Sequence, residues 1–373
     1  MAPGFTYAGV YKEPMIAVWD VHSTFTFDIN QNGYKEAIIP MQKGYATGID
    51  GTTPFIAFTV EDGKLVFDSE VNSLMPNTIS ARHFDYIKIA GNDSLSVITT
   101  NHATDKEASR NSSSEVPPSE LNLIQVSGSD NDRESIFPKL PFPNSYSSNL
   151  FEDKYKFAVD AHAQAVGDIN GDGLDDIVIG AMSDSPYELI QDTDGTFSIN
   201  NQDIYSKLRL WPVTNADAGE GKNIMLSINL SDVNGDGYDD LITGHGHGST
   251  SSKVFINNNG VFSEDSMTNL PDSIYGIDNQ MHMKTMANDF DHDGDIDLAI
   301  QWSRYEPYYG GHYIQILLND GTGNYTDNTD LTNSKTLEDA YLDRLLWSEP
   351  WQLIDINSDG HMDIAGAAAK WVG

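Results

Sequence analysis

Asp168-Ile-Asn170-Gly-Asp172-Gly173-Leu174-Asp-Asp176 runs directly into the apolar stretch Ile177-Val-Ile179 and then Gly180-Ala181. Oxygen-bearing side chains fall at relative positions 1, 3, 5 and 9, and the glycine at position 6 permits a sharp turn. A loop of this form can fold its oxygens around one hard cation, with the backbone carbonyl of Leu174 at position 7 as a further ligand. Ca²⁺ accepts six to eight oxygens in an adaptable shell and suits such a loop better than Mg²⁺.

The stretch recurs. Asp232-Val-Asn234-Gly-Asp236-Gly237-Tyr238-Asp-Asp240, Asp289-Phe-Asp291-His-Asp293-Gly294-Asp295-Ile-Asp297 and Asp355-Ile-Asn357-Ser-Asp359-Gly360-His361-Met-Asp363 keep the spacing. A near copy, Asp28-Ile-Asn30-Gln-Asn32-Gly33-Tyr34-Lys-Glu36, stands close to the start. Each precedes an apolar run, and the carbonyls of Tyr34, Tyr238, Asp295 and His361 take the place of the Leu174 carbonyl. The expectation is four to five Ca²⁺ sites.

Around each loop the pattern is strand, cation turn, strand, strand, hairpin, strand. In the first unit Phe55–Val60 and Lys64–Phe67 flank Glu61-Asp-Gly63, a hairpin signal. The second unit keeps its strands, but its turn Ala90-Gly91-Asn92-Asp93 has lost the ligand spacing. Residues 104–119 and 127–149 are Ser- and Pro-rich and read as irregular. In the fourth unit Val261–Ser263 is the expected last strand, and Gly244-His245-Gly-His247-Gly248 reads as a solvated loop. The gaps between first aspartates from Asp168 onward are 64, 57 and 66 residues. A four-stranded repeat of that size is a propeller blade. The expectation is an all-β fold, one β-propeller of six or seven four-stranded blades over residues 1–373. The blades fall at about 14–77, 78–150, 151–205, 206–272, 273–335 and 336–373, the last incomplete and closed by residues 5–11 or by chain beyond Gly373.

The chain is 39% hydrophobic, enough for a large core, and its formal net charge is −35. That charge argues against nucleic acid, whose phosphates require Lys and Arg, and against anionic membrane surfaces. The absence of cysteine excludes disulfides, thiolate nucleophiles and Cys-zinc sites. No apolar run reaches membrane-spanning length. Met1-Ala-Pro-Gly4 is not a signal peptide, and a mature domain cut from a longer protein with further domains is expected.

Asp168 through Met182 resembles the FG-GAP repeat of integrin α-subunit propellers and the related VCBS-type repeats of bacterial surface proteins. Gly180-Ala181 matches the "GA" of the name, with Met182 where proline is usual. Leu317-Leu-Asn-Asp-Gly-Thr-Gly-Asn-Tyr325 is similar to the VCBS hairpin. The resemblance implies a calcium-bearing propeller, extracellular or on a cell surface, with the cation turns on one face. It does not imply a ligand.

On the other face the resemblance puts His102, His245, His247, Trp302, Tyr305, Tyr308, Tyr309 and Trp371 on one set of loops. It puts Asp20, His22, Asp160, His162, His282, Trp347 and Glu349 on the other. His22 and His162 each stand six residues before a first aspartate. His22, His162, His245, His247, Trp302, Tyr305 and Trp371 are the candidate ligand-binding residues, with packing, solvated-loop and buried-histidine roles as the alternatives. No nucleophile elbow, P-loop or zincin motif is present. Three readings remain: a non-catalytic module binding a glycan or a cell-surface protein, a polysaccharide lyase with a His or Tyr base, and a spacer in a large adhesin.

Overall fold

The computed structural model describes residues 24–40, 53–61, 64–75, 77–78, 83–100, 120–125, 128–129, 133–141, 156–159, 161–181, 186–208, 224–246, 251–304, 310–329, 346–348, 351–365 and 368–370. Strands pair with their sequence neighbours into antiparallel sheets, one after another. Sheet I is β1 (Phe25–Phe27), β2 (Glu36–Pro40), β3 (Thr53–Glu61) and β4 (Lys64–Phe67), with β5 (Asn77–Thr78) added to β3. Sheet II is β6 (His83–Lys88), β7 (Leu95–Thr100), β8 (Asn122–Gln125) and β9 (Gly128–Ser129). Sheet III is β10 (Ala161–Gly167), β11 (Asp176–Ala181), β12 (Tyr187–Gln191) and β13 (Phe197–Asn200). Sheet IV is β14 (Ile224–Ser231), β15 (Asp240–Gly246), β16 (Lys253–Phe255) and β17 (Met267–Asn269). Sheet V is β18 (Gln280–Asn288), β19 (Asp297–Arg304), β20 (Gly310–Asn319) and β21 (Tyr325–Asp327). In the sixth unit β22 (Leu346–Ser348) pairs with β25 (Ala368–Lys370), and β23 (Gln352–Ile354) with β24 (Asp363–Ala365). Short helices α1 (Ser69–Leu74), α2 (Arg133–Ile136) and α3 (Asp203–Leu208) lie in the connections.

The cores lie between consecutive sheets. Successive residues on a strand point to opposite faces. In β11, Ile177 and Ile179 join the cluster shared with sheet II, while Val178 joins the cluster shared with sheet IV. In β15, Leu241 faces sheet III and Ile242 faces sheet V. Both faces of the second strands are therefore covered, which is why each cation loop leads into an unbroken apolar run rather than an alternating one. The first strands stand side by side, β6 against β10, β10 against β14 and β14 against β18.

Three sequence expectations are corrected. The fourth strand of sheet IV is Met267–Asn269, not Val261–Ser263. Asn258–Val261 is a turn, Phe262 is buried against sheet III, and the chain takes a 3₁₀ turn at Glu264–Ser266 before it pairs. Residues 127–149, read as irregular, contain β9 and α2. Gly244-His245-Gly246 is not a solvated loop but the end of β15, and His245 is 2% exposed.

Gly244 lets His282 of sheet V pack directly on β15. A Cβ on it would meet the His282 ring at 2.5 Å. The His282 ring cannot yield, because Nδ1 is 2.8 Å from Ser252 Oγ, Nε2 is 2.7 Å from Thr285 Oγ1, and Trp302 packs on it at 4.9 Å. Gly180 has the same role one seam earlier, its missing Cβ leaving room for Ile228. Gly244→Ala is expected to cost roughly 1–3 kcal/mol by overpacking, read as a lower urea midpoint with an unchanged slope.

Candidate functional site

Five loops share one hydrogen-bonding scheme. In the Asp168 loop, Asp168 Oδ1 accepts the N–H of Gly171 (2.8 Å) and Asp172 (3.1 Å), and Oδ2 accepts that of Gly173 (2.8 Å). Asn170 Oδ1 accepts from Asp172 N–H (3.0 Å), and Asp172 Oδ1 from Leu174 N–H (2.9 Å). The glycine N–H at position 6 bonds the first carboxylate again at Gly33, Gly237, Gly294 and Gly360, at 2.9, 2.9, 3.1 and 2.9 Å. The position-6 glycines have φ of 84–102°, and position 4 (Gln31, Gly171, Gly235, His292, Ser358) is also left-handed at 57–75°. The sequence signal for position 4 is the lack of any β-branched residue there.

The residue at position 9 closes the loop. Ile169 N–H donates to Asp176 Oδ2 (3.1 Å), and Gln191 N–H on the third strand donates to Oδ1 (2.8 Å). Asp240 takes Val233 and Asn257 in the same way, and Asp297 takes Phe290 and Asn319. Asp363 accepts from Ile356 N–H (3.1 Å), and Glu36 Oε2 from Ile29 N–H (3.0 Å). Burial pushes the Asp176 carboxyl up to about 7 and that of Asp240 to about 6, against the opposing pull of these N–H groups. Glu36 Oε1 is buried without a partner. One oxygen from each of Asp289, Asp291 and Asp297 falls within 4.8 Å of the others. Partial desolvation, then the charges of Asp293, Asp297 and Asp289, hold the Asp291 carboxyl above its ordinary range. An all-oxygen donor set under mutual repulsion, with an orphaned buried oxygen in the first loop, fits a hard cation such as Ca²⁺.

Residues that the sequence reading missed tie the third, fourth and fifth units to the sheet before each. Gln191 Nε2 donates to the carbonyls of Lys88 and Asp175, Asn257 Nδ2 to those of Ile169 and Asp239, and Asn319 Nδ2 to those of Val233 and Ile296. Asp175 Oδ2 accepts Lys88 N–H (2.7 Å), and Asp239 Oδ2 accepts Asp168 N–H (2.7 Å). The amide at the end of each third strand was the available signal. It reads as a turn residue unless its partner in the neighbouring sheet is known.

A cavity of about 180 Å³ lies between the first strands β6, β10, β14 and β18. Asp85, Gln164 and Lys284 face it from three sheets. Thr100 Oγ1 donates to Gln164 Oε1 (2.5 Å), and Gln164 Nε2 donates to Asp85 Oδ2 (2.8 Å). Desolvation pushes the Asp85 carboxyl up to about 7, and pushes the Lys284 ammonium below its ordinary value against the attraction of Asp85.

The candidates divide as follows. Each of β10, β14 and β18 has an irregularity at the residue six before the first aspartate: His162, Leu226 and Met283. Leu226 and Met283 line the cavity. His22, His102, His247, Tyr305, Tyr308, Tyr309, Trp371, Asp20, Asp160 and Glu349 lie outside the described residues. Trp302 is not a stacking platform: it is fully buried, and its Nε1–H donates to Gln315 Oε1 (2.8 Å). His245 and His282 are buried at the same seam. Desolvation pushes both down to about 3, with a smaller push from Lys253 on His245 and from His245 on His282. They are neutral packing groups. The structure thus withdraws Trp302 and His245 from the binding face, because the neighbouring sheet covers them.

Residues 165–196 match the FG-GAP repeat profile, and residues 232–300 match that of the FG-GAP-like repeat. The chain carries FG-GAP repeats. Around these repeats the described chain is all-β, built of successive four-stranded antiparallel sheets. No curated protein matches the sequence. Among solved structures, it is similar to the V. cholerae biofilm matrix protein Bap1, with 14% identity, TM-score 0.40, and coverage of 83% of this chain and 39% of that one. The Aleuria aurantia lectin, a six-bladed β-propeller described with a fucose recognition mode, has 10% identity, TM-score 0.40, and coverage of 82% and 76%. The Clostridium thermocellum exo-β-1,3-galactanase 1,3Gal43A has 9% identity, TM-score 0.27, and coverage of 91% and 74%.

The cavity generates a pH prediction. Asp85 binds its proton more tightly in the folded chain (about 7) than at its ordinary value of 3.8. Between those values the folded state holds a proton that the unfolded chain has lost, so the contribution of Asp85 falls as pH rises through that window. Asp85→Asn keeps an acceptor for Gln164 and removes the titration. Urea unfolding at about pH 5 and pH 8 is expected to show a smaller loss of stability across the interval in the variant than in the wild type.

Proposed function

We propose that this chain is a calcium-stabilised recognition module of a secreted or cell-surface protein: one six-bladed propeller, with blades at about 14–77, 78–150, 151–205, 206–272, 273–335 and 336–373. The recurrence of one oxygen cage in five loops carries the reading. Gln352 Nε2 in the sixth unit donates to the Thr24 carbonyl beside β1 (2.8 Å), which supports a ring closed between the last sheet and the first. Calcium holds the loops at one end, and a glycan or protein ligand is bound at the other, around the axial cavity. His22 and His162 are carried as candidates for that site because each stands six residues before a first aspartate, as the cavity-lining Leu226 and Met283 do. A sugar ring suits the cavity, because its hydroxyls can accept from Lys284 and donate to Asp85 at once.

Two experiments test this. Each site filled to a hundredfold over its Kd contributes roughly 2.7 kcal/mol, so chelation of four to five sites is expected to lower Tm by on the order of 10 °C. Unchanged melting in EDTA would mean that the loops hold no metal. A glycan array run in millimolar Ca²⁺ and again in EDTA is expected to give binding in calcium that Lys284→Met and His162→Ala weaken. Binding indifferent to both changes would move the site away from the axis, and an empty array would leave a protein ligand.

A further inference from the structure

We infer that His292 and His361 form a site for a borderline divalent transition-metal ion, Zn²⁺, Ni²⁺ or Cu²⁺, at the seam between the fifth and sixth units and separate from the oxygen cages. His292 is position 4 of the Asp289 loop, and His361 is position 7 of the Asp355 loop. Their side chains meet with His292 Nε2 2.6 Å from His361 Nδ1 and ring centroids 4.5 Å apart.

The meeting follows from the repeat. Position 4 of one loop can reach position 7 of the next, as it does at two of the three seams between consecutive loops. Two seams earlier a Cβ on Gly171, also position 4, would stand 2.4 Å from the ring of Tyr238, also position 7, whereas a Cβ on Gly235 at the seam between would meet nothing within 4 Å. Neither role requires histidine. Position 7 offers a calcium ligand only through its carbonyl, and position 4 is Gly171, Gly235, Gln31 or Ser358 in the other loops. His292 is instead held in a left-handed conformation, φ 65°, where glycine is the unstrained residue. The chain places two imidazoles in register across a seam, one of them on a strained backbone.

The pair is built to chelate. The backbone of each histidine is anchored: His292 N–H donates to Asp289 Oδ1 (2.7 Å), and His361 N–H to Asp359 Oδ1 (2.9 Å). Each neutral ring can carry its proton on the other nitrogen, leaving Nε2 of one and Nδ1 of the other as ligands. Metal–nitrogen bonds of about 2.0–2.1 Å require the two nitrogens to part by less than about 1 Å, which exposed rings can do. Water fills the remaining positions. Imidazole prefers Zn²⁺, Ni²⁺ and Cu²⁺ to Ca²⁺, so the site and the cages sort ions by ligand chemistry. A bound ion would link two units that the repeat otherwise joins only by packing and hydrogen bonds.

The test is calorimetric titration of the full chain, held in saturating Ca²⁺, with ZnCl₂ and then CuCl₂. His292→Gly and His361→Tyr install residues the chain itself uses at the equivalent positions, so the fold is kept. Retained calcium-dependent melting verifies this, and His292→Gln and His361→Gln replace any variant that fails. The wild type is expected to show a Zn²⁺ site that either variant weakens by at least roughly tenfold, since even outer-shell changes cost about 10–100-fold. Cu²⁺ is expected to bind more tightly than Zn²⁺, and Zn²⁺ to raise Tm in the wild type alone. Equal Zn²⁺ binding in the wild type and both variants, or Zn²⁺ displaced by excess Ca²⁺, would overturn the inference.

Discussion

The carboxylate at position 9 is the constraint on which the rest of the structure depends. In the Asp176, Asp240 and Asp297 loops it accepts one N–H from the second residue of its own loop and one from the end of the third strand. One buried group thus fixes the shape of the cation loop and its attachment to the sheet. Such a group is costly to bury unless it is fully bonded or neutralised. The upward pKa of Asp176 and Asp240 reflects that tension. A cation beside the carboxylate would relieve it, and would then couple metal chemistry to the integrity of each sheet.

From that anchor the seams are built. The third-strand residue that gives its N–H to the carboxylate sends its own side-chain amide into the preceding sheet, as Asn257 does to Ile169 and Asn319 to Val233. Where each sheet packs on the next, apolar residues from both faces of the second strand fill the gap, and Gly180 and Gly244 let a neighbouring side chain reach the backbone. Loop, sheet and seam are one cooperative unit, repeated. The cavity between the first strands is a consequence: β6, β10, β14 and β18 lie side by side without filling the space between them, and polar groups of several sheets face a shared volume.

The sequence by itself determined the repeat, the strand order within each unit and the oxygen positions of the loops. These are local properties, set by alternation, turn chemistry and the spacing of carboxylates over nine residues. The strand pairs Asp176–Ala181 with Tyr187–Gln191 and Lys64–Phe67 with Thr53–Glu61 fall close to where pattern places them. The fate of the aromatic and histidine residues was decided by tertiary structure. Trp302 and His245 look like surface groups in the chain, yet both are enclosed, because the neighbouring sheet covers that end of the second strand. The pairing of His292 with His361, 69 residues apart, and of Asp85 with Gln164 and Lys284 depends on which sheets lie side by side. A one-dimensional pattern records which residues share a strand face. Only the packing of sheet on sheet fixes what each face meets.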